Sequence, residues 1–205
     1  SFPIHLDHSF KFLDCTRVYD AATDLTTFTL PHPTPATAEF VQSDQNAPRG
    51  YLLNTTRVSS TSFTSIGDYT GADYDNAIIG RNFSFRYEYS PFFLKEDKGQ
   101  GSVAIQDGRV SIRYLSVQYE DTAQFSARVT NRGRTPYEYT FSGRNLGSQN
   151  NILGGLSLDD GEFKFPVMGE NIYTKIELLN DTPFHCTFTG TEWTGQWTAK
   201  ATRRV

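Results

Sequence analysis

The chain has 205 residues and a formal net charge of −4 at neutral pH. This length suits one large β domain or two small ones, and it allows a buried core without disulfide or metal staples. The acidic balance argues against a duplex-binding module, which normally presents a basic face. The sequence also has no apolar stretch long enough to span a membrane. Its first residues lack the regions of a signal peptide and an initiator Met, so we expect a part of a longer protein.

The composition predicts an all-β fold of antiparallel sheets. The chain holds 16 Phe and 11 Tyr, and aromatic and β-branched residues favour pleated surfaces. Runs of the helix formers Ala, Leu, Glu and Lys are scarce, so no helix of ten residues or more is expected. Cys15 and Cys186 are far apart in the sequence, and they are interpreted as two buried free thiols in a reducing setting rather than as a disulfide.

The first predicted domain spans residues 1–76 and is β-rich with irregular loops. Strands at residues 18–19 and 26–30 flank a turn at residues 20–24. Prolines in residues 31–35 end the regular structure, because each one removes a ladder donor. Residues 42–76 are expected to be less regular, with one strand candidate at residues 51–54.

The second predicted domain spans residues 77–205 and has clearer strand patterns. Four aromatic residues alternate with polar ones from Phe83 to Tyr89, which predicts one aromatic face. After a turn at residues 107–108, Val110 and Ile112 alternate with polar residues. The pattern then changes phase to Leu115 and Val117, and this change predicts a β-bulge or a bend.

Further strands are predicted at residues 125–129, 137–141, 163–167, 172–178 and around 186–188, with turns at residues 131–134 and 159–161. Residues 143–158 are rich in Gly and Asn and are expected to form a long loop. Strand signals recur about every ten residues, which is typical of a sandwich or barrel-like fold.

The sequence contains no nucleophile elbow, zinc-protease motif or phosphate-binding loop. His5 and Asp7 share one face of a strand but His8 points to the other, so an exposed polar strand is favoured over a metal site. Residues 73–76 lack the downstream Gly and bidentate Glu of a calcium loop. No catalytic, cofactor-binding or metal-binding residue is therefore predicted.

Acidic residues also raise the possibility of glycoside hydrolysis, which needs two carboxylates across a cleft. The candidates are Glu88, Glu120, Asp121 and Glu192, and ordinary solvated turn acids are the favoured interpretation.

Trp193 and Trp197 lie four residues apart, which places both on one face of a strand. Core packing, a subunit interface and ligand stacking all remain open for them. Arg203 and Arg204, with Lys200, form a short basic end that suits solvent or an acidic partner better than nucleic acid.

The second half of the chain resembles the tail tubular protein B, or nozzle, family of short-tailed bacteriophages. Several motifs carry the resemblance in the family's order. These are FRYEYSP at 85–91 after IGRNF at 79–83, DGRVSIRYLSVQYEDT at 107–122, YTFSGRNLG at 139–147, GEFKFPV at 161–167, LNDTP at 179–183, EWTG at 192–195 and RRV at 203–205. Thr194 departs from the pattern, since the family often has an acid there.

The resemblance implies a structural virion protein whose sheets form part of a larger β-rich nozzle subunit. It implies a homohexameric ring next to a tail adaptor protein and tail fibres, with viral DNA passing through the ring without sequence-specific binding. It also implies residence in the phage tail after synthesis in the host cytoplasm, without membrane anchoring by this segment. Trp193, Trp197, Arg203 and Arg204 are then candidates for assembly contacts, and the resemblance carries over no catalytic residue.

Two other interpretations stay open from the sequence. Aromatic richness and the tryptophans are compatible with a carbohydrate-binding or glycan-cleaving β domain of a phage tail or host-surface recognition protein. The short strands and turns are also compatible with an immunoglobulin-like adhesion module.

Overall fold

The computed structural model describes residues 4–34, 38–41 (backbone only), 52–97, 99, 101–105, 107–143 and 157–199. Within these residues the chain forms sixteen strands and two short 3₁₀ helices, and every strand pairing is antiparallel. The predicted all-β class is confirmed, and the described strands do not close into a barrel.

The chain divides into two compact units, each with its own core. The first consists of Ser1–Ser84, Gly143–Leu158 and Asp181–His185, and the second of Phe85–Ser142, Asp159–Asn180 and Cys186–Val205. The proposed boundary after residue 76 stays a prediction.

The described residues of the first unit form seven strands in two sheets. The strands are β1 (Asp7–Lys11), β2 (Thr16–Asp20), β3 (Leu25–Thr29), β4 (Ala38–Val41), β5 (Thr55–Arg57), β6 (Ser62–Ile66) and β7 (Ile78–Arg81). One sheet has the order β2-β3-β6-β5 and the other β1-β7-β4. The 3₁₀ helices are Phe12–Asp14 and Ala72–Tyr74. A core centred on Phe12, Phe28, Phe63 and Ile79 lies in this unit.

The hairpin predicted at residues 18–30 is confirmed as the β2–β3 pair. The strand candidate at residues 51–54 is wrong at Leu53 and Asn54, since the strand begins at Thr55, and residue 51 lies outside the described residues. Leu53 instead enters the core, and the carbonyl of Asn54 accepts a hydrogen bond from the Ser65 hydroxyl. The irregularity predicted for residues 42–76 is wrong where β5 and β6 form, because a single inward Phe63 among hydroxyl residues gives a weak apolar signal.

Nine strands lie in the part of the second unit that the structure describes. They are β8 (Phe85–Glu88), β9 (Lys95–Asp97), β10 (Ser102–Ala104), β11 (Gly108–Thr122), β12 (Gln124–Asn131), β13 (Tyr137–Ser142), β14 (Asp159–Glu170), β15 (Thr174–Asn180) and β16 (Thr187–Ala199). They form a β13-β12-β15-β8 sheet, a β14-β11-β16 sheet and a β9–β10 hairpin. One core takes buried side chains from both larger sheets, which is the arrangement of a sandwich.

The β-bulge predicted from the phase change in β11 is confirmed. Val110 and Ile112 are buried before the change, and Leu115 and Val117 are buried after it. The register of β11 shifts between Ile112 and Tyr114 against both neighbouring strands. The extra residue therefore lets one long strand keep its apolar side chains in the core on both sides of the bulge.

The turn predicted at residues 159–161 is wrong, because these residues begin β14. Asp159 lies opposite Thr122 and Gly161 opposite Tyr119. The acidic side chains are satisfied across the strands: Asp159 accepts a hydrogen bond from the Tyr119 hydroxyl, and Asp160 accepts one from the backbone N–H of Asp121. A sequence typical of a turn is thus used at an irregular strand pairing.

The aromatic face predicted from Phe83 to Tyr89 is correct only in part. Phe83 precedes β8. Phe85 and Tyr89 pack against the core, whereas Tyr87 is half exposed and contacts the Tyr89 ring edge-on. Because β8 lies at the edge of its sheet, inward orientation does not by itself bury a side chain there.

Candidate assembly surface

The last strand of the sandwich, β16, is a long edge strand. It pairs with β11 from Thr187 to Ala199, and its other edge has no strand partner among the described residues. Its thirteen residues include a single charged side chain, Glu192. Long edge strands with few charges offer unpaired backbone groups to another chain. This edge is therefore a candidate for assembly contacts.

Trp193 serves the core of the sandwich. It lies opposite Leu115 in the strand register and is half-buried against the core cluster. Its ring lies 6.3 Å from the ring of Phe92, measured between centroids. The sequence leaves core packing, a subunit interface and ligand stacking open for Trp193, and these contacts are those of core packing.

Trp197 occupies the end of the same face. It lies opposite Val110, and 39% of its surface remains exposed. A Cβ atom on Gly108 would lie 2.1 Å from the indole nitrogen, so the indole rests directly on the backbone of Gly108. Trp197 is thus an anchored, partly exposed aromatic group, which is the type of residue that dominates binding energy at interfaces.

Other apolar side chains are exposed near this end of β11. The backbone N–H of Asn171 donates to the carbonyl of Val110, which brings residues 171–173 alongside it. Ile172 and Tyr173 are about half exposed. Together with Gly108 they line a cavity of about 410 Å³. We call Trp197, Ile172 and Tyr173 the sheet-end surface.

A network of charged side chains covers the face of the four-stranded sheet that is turned away from the core. Glu177 on β15 is only 3% exposed, and its carboxylate accepts hydrogen bonds from Arg86 and Lys175. Glu88 binds the same two cations. Burial raises the pKa of Glu177, but the Arg86 hydrogen bond and the two positive charges lower it more, so the pKa is below its ordinary value. The alternating pattern of the sequence does not predict this network.

The predicted carboxylate candidates, Glu88, Glu120, Asp121 and Glu192, are divided between the two larger sheets of the second unit. Glu88 lies in the four-stranded sheet and is engaged by Arg86 and Lys175. Glu120 and Glu192 lie in the three-stranded sheet, opposite Thr187 and Ser116 respectively. Residues 200, 203 and 204, which form the predicted basic end, lie outside the described residues.

Two of the residues considered for metal binding, His5 and Asp75, have other contacts. Nε2 of His5 lies 2.7 Å from Nδ1 of His185. Asp75 forms an ion pair with Arg17. Within the described ranges, no three His, Cys, Asp or Glu side chains are grouped closely enough to hold a metal ion. Both cysteines are free thiols. None of the described helices is both long and apolar enough to cross a membrane.

An all-β sandwich with a long open edge strand and an anchored exposed tryptophan has the features of a structural assembly protein. Comparison with known proteins agrees. The family model for the bacteriophage nozzle protein matches residues 1–204, and the chain belongs to this family. The chain is also 33% identical, over 120 residues, to tail tubular protein gp12 of Escherichia phage T7. That match covers 58% of this chain and 15% of the length of the relative.

The protein is therefore a structural component of a phage tail, and the resemblance stated from its motifs is confirmed.

Proposed function

We propose that this chain forms part of a homohexameric nozzle ring through which viral DNA leaves the virion, and that it acts by assembly rather than by catalysis. In this proposal the ring contacts a tail adaptor protein and tail fibres, and its subunits are synthesised in the host cytoplasm. The membership of the nozzle family over the whole chain carries the proposal.

The structure supports the proposal through the sheet-end surface and the β16 edge. In a ring, each subunit contacts its neighbours head to tail. Each subunit must therefore present two different surfaces that are complementary to each other. The sandwich offers two edges of one sheet, β14 and β16, which differ in sequence and side chains. The net charge of −4 also suits a conduit, since a like-charged lumen does not retain DNA.

The rival sugar-binding interpretation relied on a platform formed by both tryptophans. Because Trp193 packs against the core and Phe92, it does not present an open face for stacking. Trp197 alone is exposed, which favours a contact with protein over a two-ring sugar platform.

The test is to purify the full-length protein that contains this chain, measure its mass by native mass spectrometry and image it by electron microscopy. We expect six-fold rings for the natural protein. Trp197→Arg should prevent ring closure, whereas Tyr137→Arg, which changes an exposed aromatic residue on the other sheet, should leave rings intact.

Circular dichroism would establish that both variants retain their strands. A full-length protein that stays monomeric and is absent from purified virions would refute the nozzle proposal. Rings that form equally well in both variants would refute the role of the sheet-end surface alone.

A further inference from the structure

The free edge of β16 can be assigned to particular backbone groups. The carbonyl of Val110 accepts the N–H of Asn171, which follows β14, so the backbone of Val110 points to the β14 side of β11. Backbone groups of successive strand residues point to alternate sides. Ser111 therefore points to β16, where it lies opposite Gln196. It follows that the N–H and C=O groups of Gln196 are used inside the sheet.

The neighbours of Gln196 have the opposite orientation. The backbone groups of Gly195, Trp197 and Ala199 point away from β11, to the side where no strand lies among the described residues. Residues 194–199 are all exposed, and they include no charged residue and no proline. We call residues 194–199 the open edge of β16, because their outward N–H and C=O groups are available to another strand.

The other edge of the same sheet, formed by β14, is protected against strand addition. Three of its first four residues are acidic. Pro166 has no N–H to donate, and Met168 has a positive φ of 48°, which interrupts the regular strand backbone. Charges, proline and irregular backbone are the means by which natural sheets discourage pairing at their edges. The sheet therefore has one protected edge and one open edge.

We propose that the open edge of β16 pairs, main chain to main chain, with an extended strand of a neighbouring copy of this chain. This inference rests on the proposed ring and names the contact that joins its subunits. An edge without charges cannot select a partner by charge complementarity. Depletion of charge is instead typical of permanent contacts between copies of one chain. The protected edge of β14 limits strand addition to one side of each sheet.

Trp197 belongs to this contact through both its backbone and its side chain. Its N–H and C=O groups face the open edge, whereas its indole rests on the backbone of Gly108. A strand that pairs with this part of β16 places its own side chains next to the exposed part of the indole, because side chains of paired strands lie side by side. Main-chain bonds and an aromatic contact would then stabilise the same interface.

Amide hydrogen exchange tests the inference, read at single residues by mass spectrometry with electron-transfer fragmentation. In the 205-residue chain, at a dilution at which it is monomeric, we expect fast exchange at Gly195 and Trp197 and slow exchange at Gln196 and Thr198. In rings of the full-length protein, Gly195 and Trp197 should exchange at least about 100-fold more slowly, because their N–H groups gain partners.

Ala199 provides a matched pair of variants. Ala199→Pro removes an N–H that faces the open edge, and proline is tolerated at such positions of an edge strand. The melting temperature of the 205-residue chain should therefore stay unchanged, while the contact between full-length subunits should weaken by about tenfold. Ala199→Ser keeps the N–H and should form rings like the natural protein. Equally stable rings in both variants would contradict the inference.

The exchange experiment separates this inference from the proposed function. Rings in which Gly195 and Trp197 exchange as fast as in the monomeric chain would overturn the strand pairing and leave the nozzle proposal in place. Protection that appears only after a tail adaptor protein is added would also overturn it, because the partner strand would then come from another protein. A full-length protein that forms no rings would refute both.

Discussion

Replacement of the buried carboxylate of Glu177 tests how much the charged network of the four-stranded sheet contributes to the stability of the fold. Replacement by Gln keeps the size of the side chain and removes its charge. In the structure the Glu177 carboxylate is almost fully buried and accepts from Arg86 and Lys175. Both cations retain Glu88 as a partner, so they are not left without a counter-charge.

The expected loss is about 1.5–3 kcal/mol in the free energy of unfolding, the range for a hydrogen bond to a charged group. The larger penalties of 3–5 kcal/mol for broken buried pairs do not apply, because Arg86 is half exposed and still paired. For a chain of this length, each kcal/mol lowers the melting temperature by about 2–4 °C, so we expect a decrease of about 3–12 °C.

Urea unfolding followed by circular dichroism at pH 7 measures this loss. Glu138→Gln is the matched control, because Glu138 pairs with Arg128 on the same sheet but its side chain is 46% exposed. Such an exposed pair contributes about 0–1 kcal/mol. Equal unfolding midpoints for the two variants would refute the reasoning.

The pH dependence of the same difference is a further check. The pKa of Glu177 is lowered in the folded chain relative to its ordinary value of 4.5. Its stabilising contribution is therefore fully present above pH 4.5 and is lost as the pH falls through the folded pKa. The gap between the natural chain and Glu177→Gln should shrink below pH 4.5, and a gap that grows there would contradict the assignment.

Three other outcomes can be measured on the same chain. Gly195→Ala would place a Cβ atom 2.4 Å from the carbonyl oxygen of Ser111, so it should cost about 1–3 kcal/mol of stability, and an unchanged urea midpoint would oppose this. Burial, and to a smaller extent the charge of Asp14, raises the pKa of Cys15 to about 11. Because the thiolate is the reactive form, alkylation of Cys15 by iodoacetamide at pH 8 should be roughly 100-fold slower in the folded than in the unfolded chain. Equal rates would exclude a buried Cys15 with a raised pKa. Tyr119→Phe removes the hydrogen bond to Asp159 and should cost about 1 kcal/mol, which a thermal melt identical to that of the natural chain would disprove.

The sequence predicts a strand most accurately where one face of the strand lies in the core and the other faces solvent. In β11 the inward residues are apolar and the outward ones are mostly polar, so a shift of one residue in that pattern indicates either an extra residue in the ladder or a bend. The register shift between Ile112 and Tyr114 shows that it is an extra residue. The sequence thus predicts the irregularity, and the strand pairing identifies it as a bulge.

Glu177 shows what the same pattern could not predict. Ile176 and Leu178 alternate with Lys175, Glu177 and Leu179, so the sequence assigns Glu177 to the solvent face. The orientation is correct, but β15 lies between β12 and β8, and side chains from the neighbouring strands cover the carboxylate. Burial on an outer face depends on which strands become neighbours, and that information is not local in the sequence.

The two tryptophans also show that a sequence pattern predicts the face on which a side chain lies but not how deeply it is buried. Their spacing correctly predicts one shared face, because each is paired with an inward residue of β11, Leu115 for Trp193 and Val110 for Trp197. Leu115 lies near the middle of its strand, and Trp193 packs against the core cluster and the ring of Phe92. Val110 lies two residues after the start of β11, and Trp197 opposite it stays partly exposed although Val110 is buried. A partly exposed indole that rests on the backbone of Gly108 loses little conformational freedom when it binds a partner, and this favours Trp197 over Trp193 as the assembly contact.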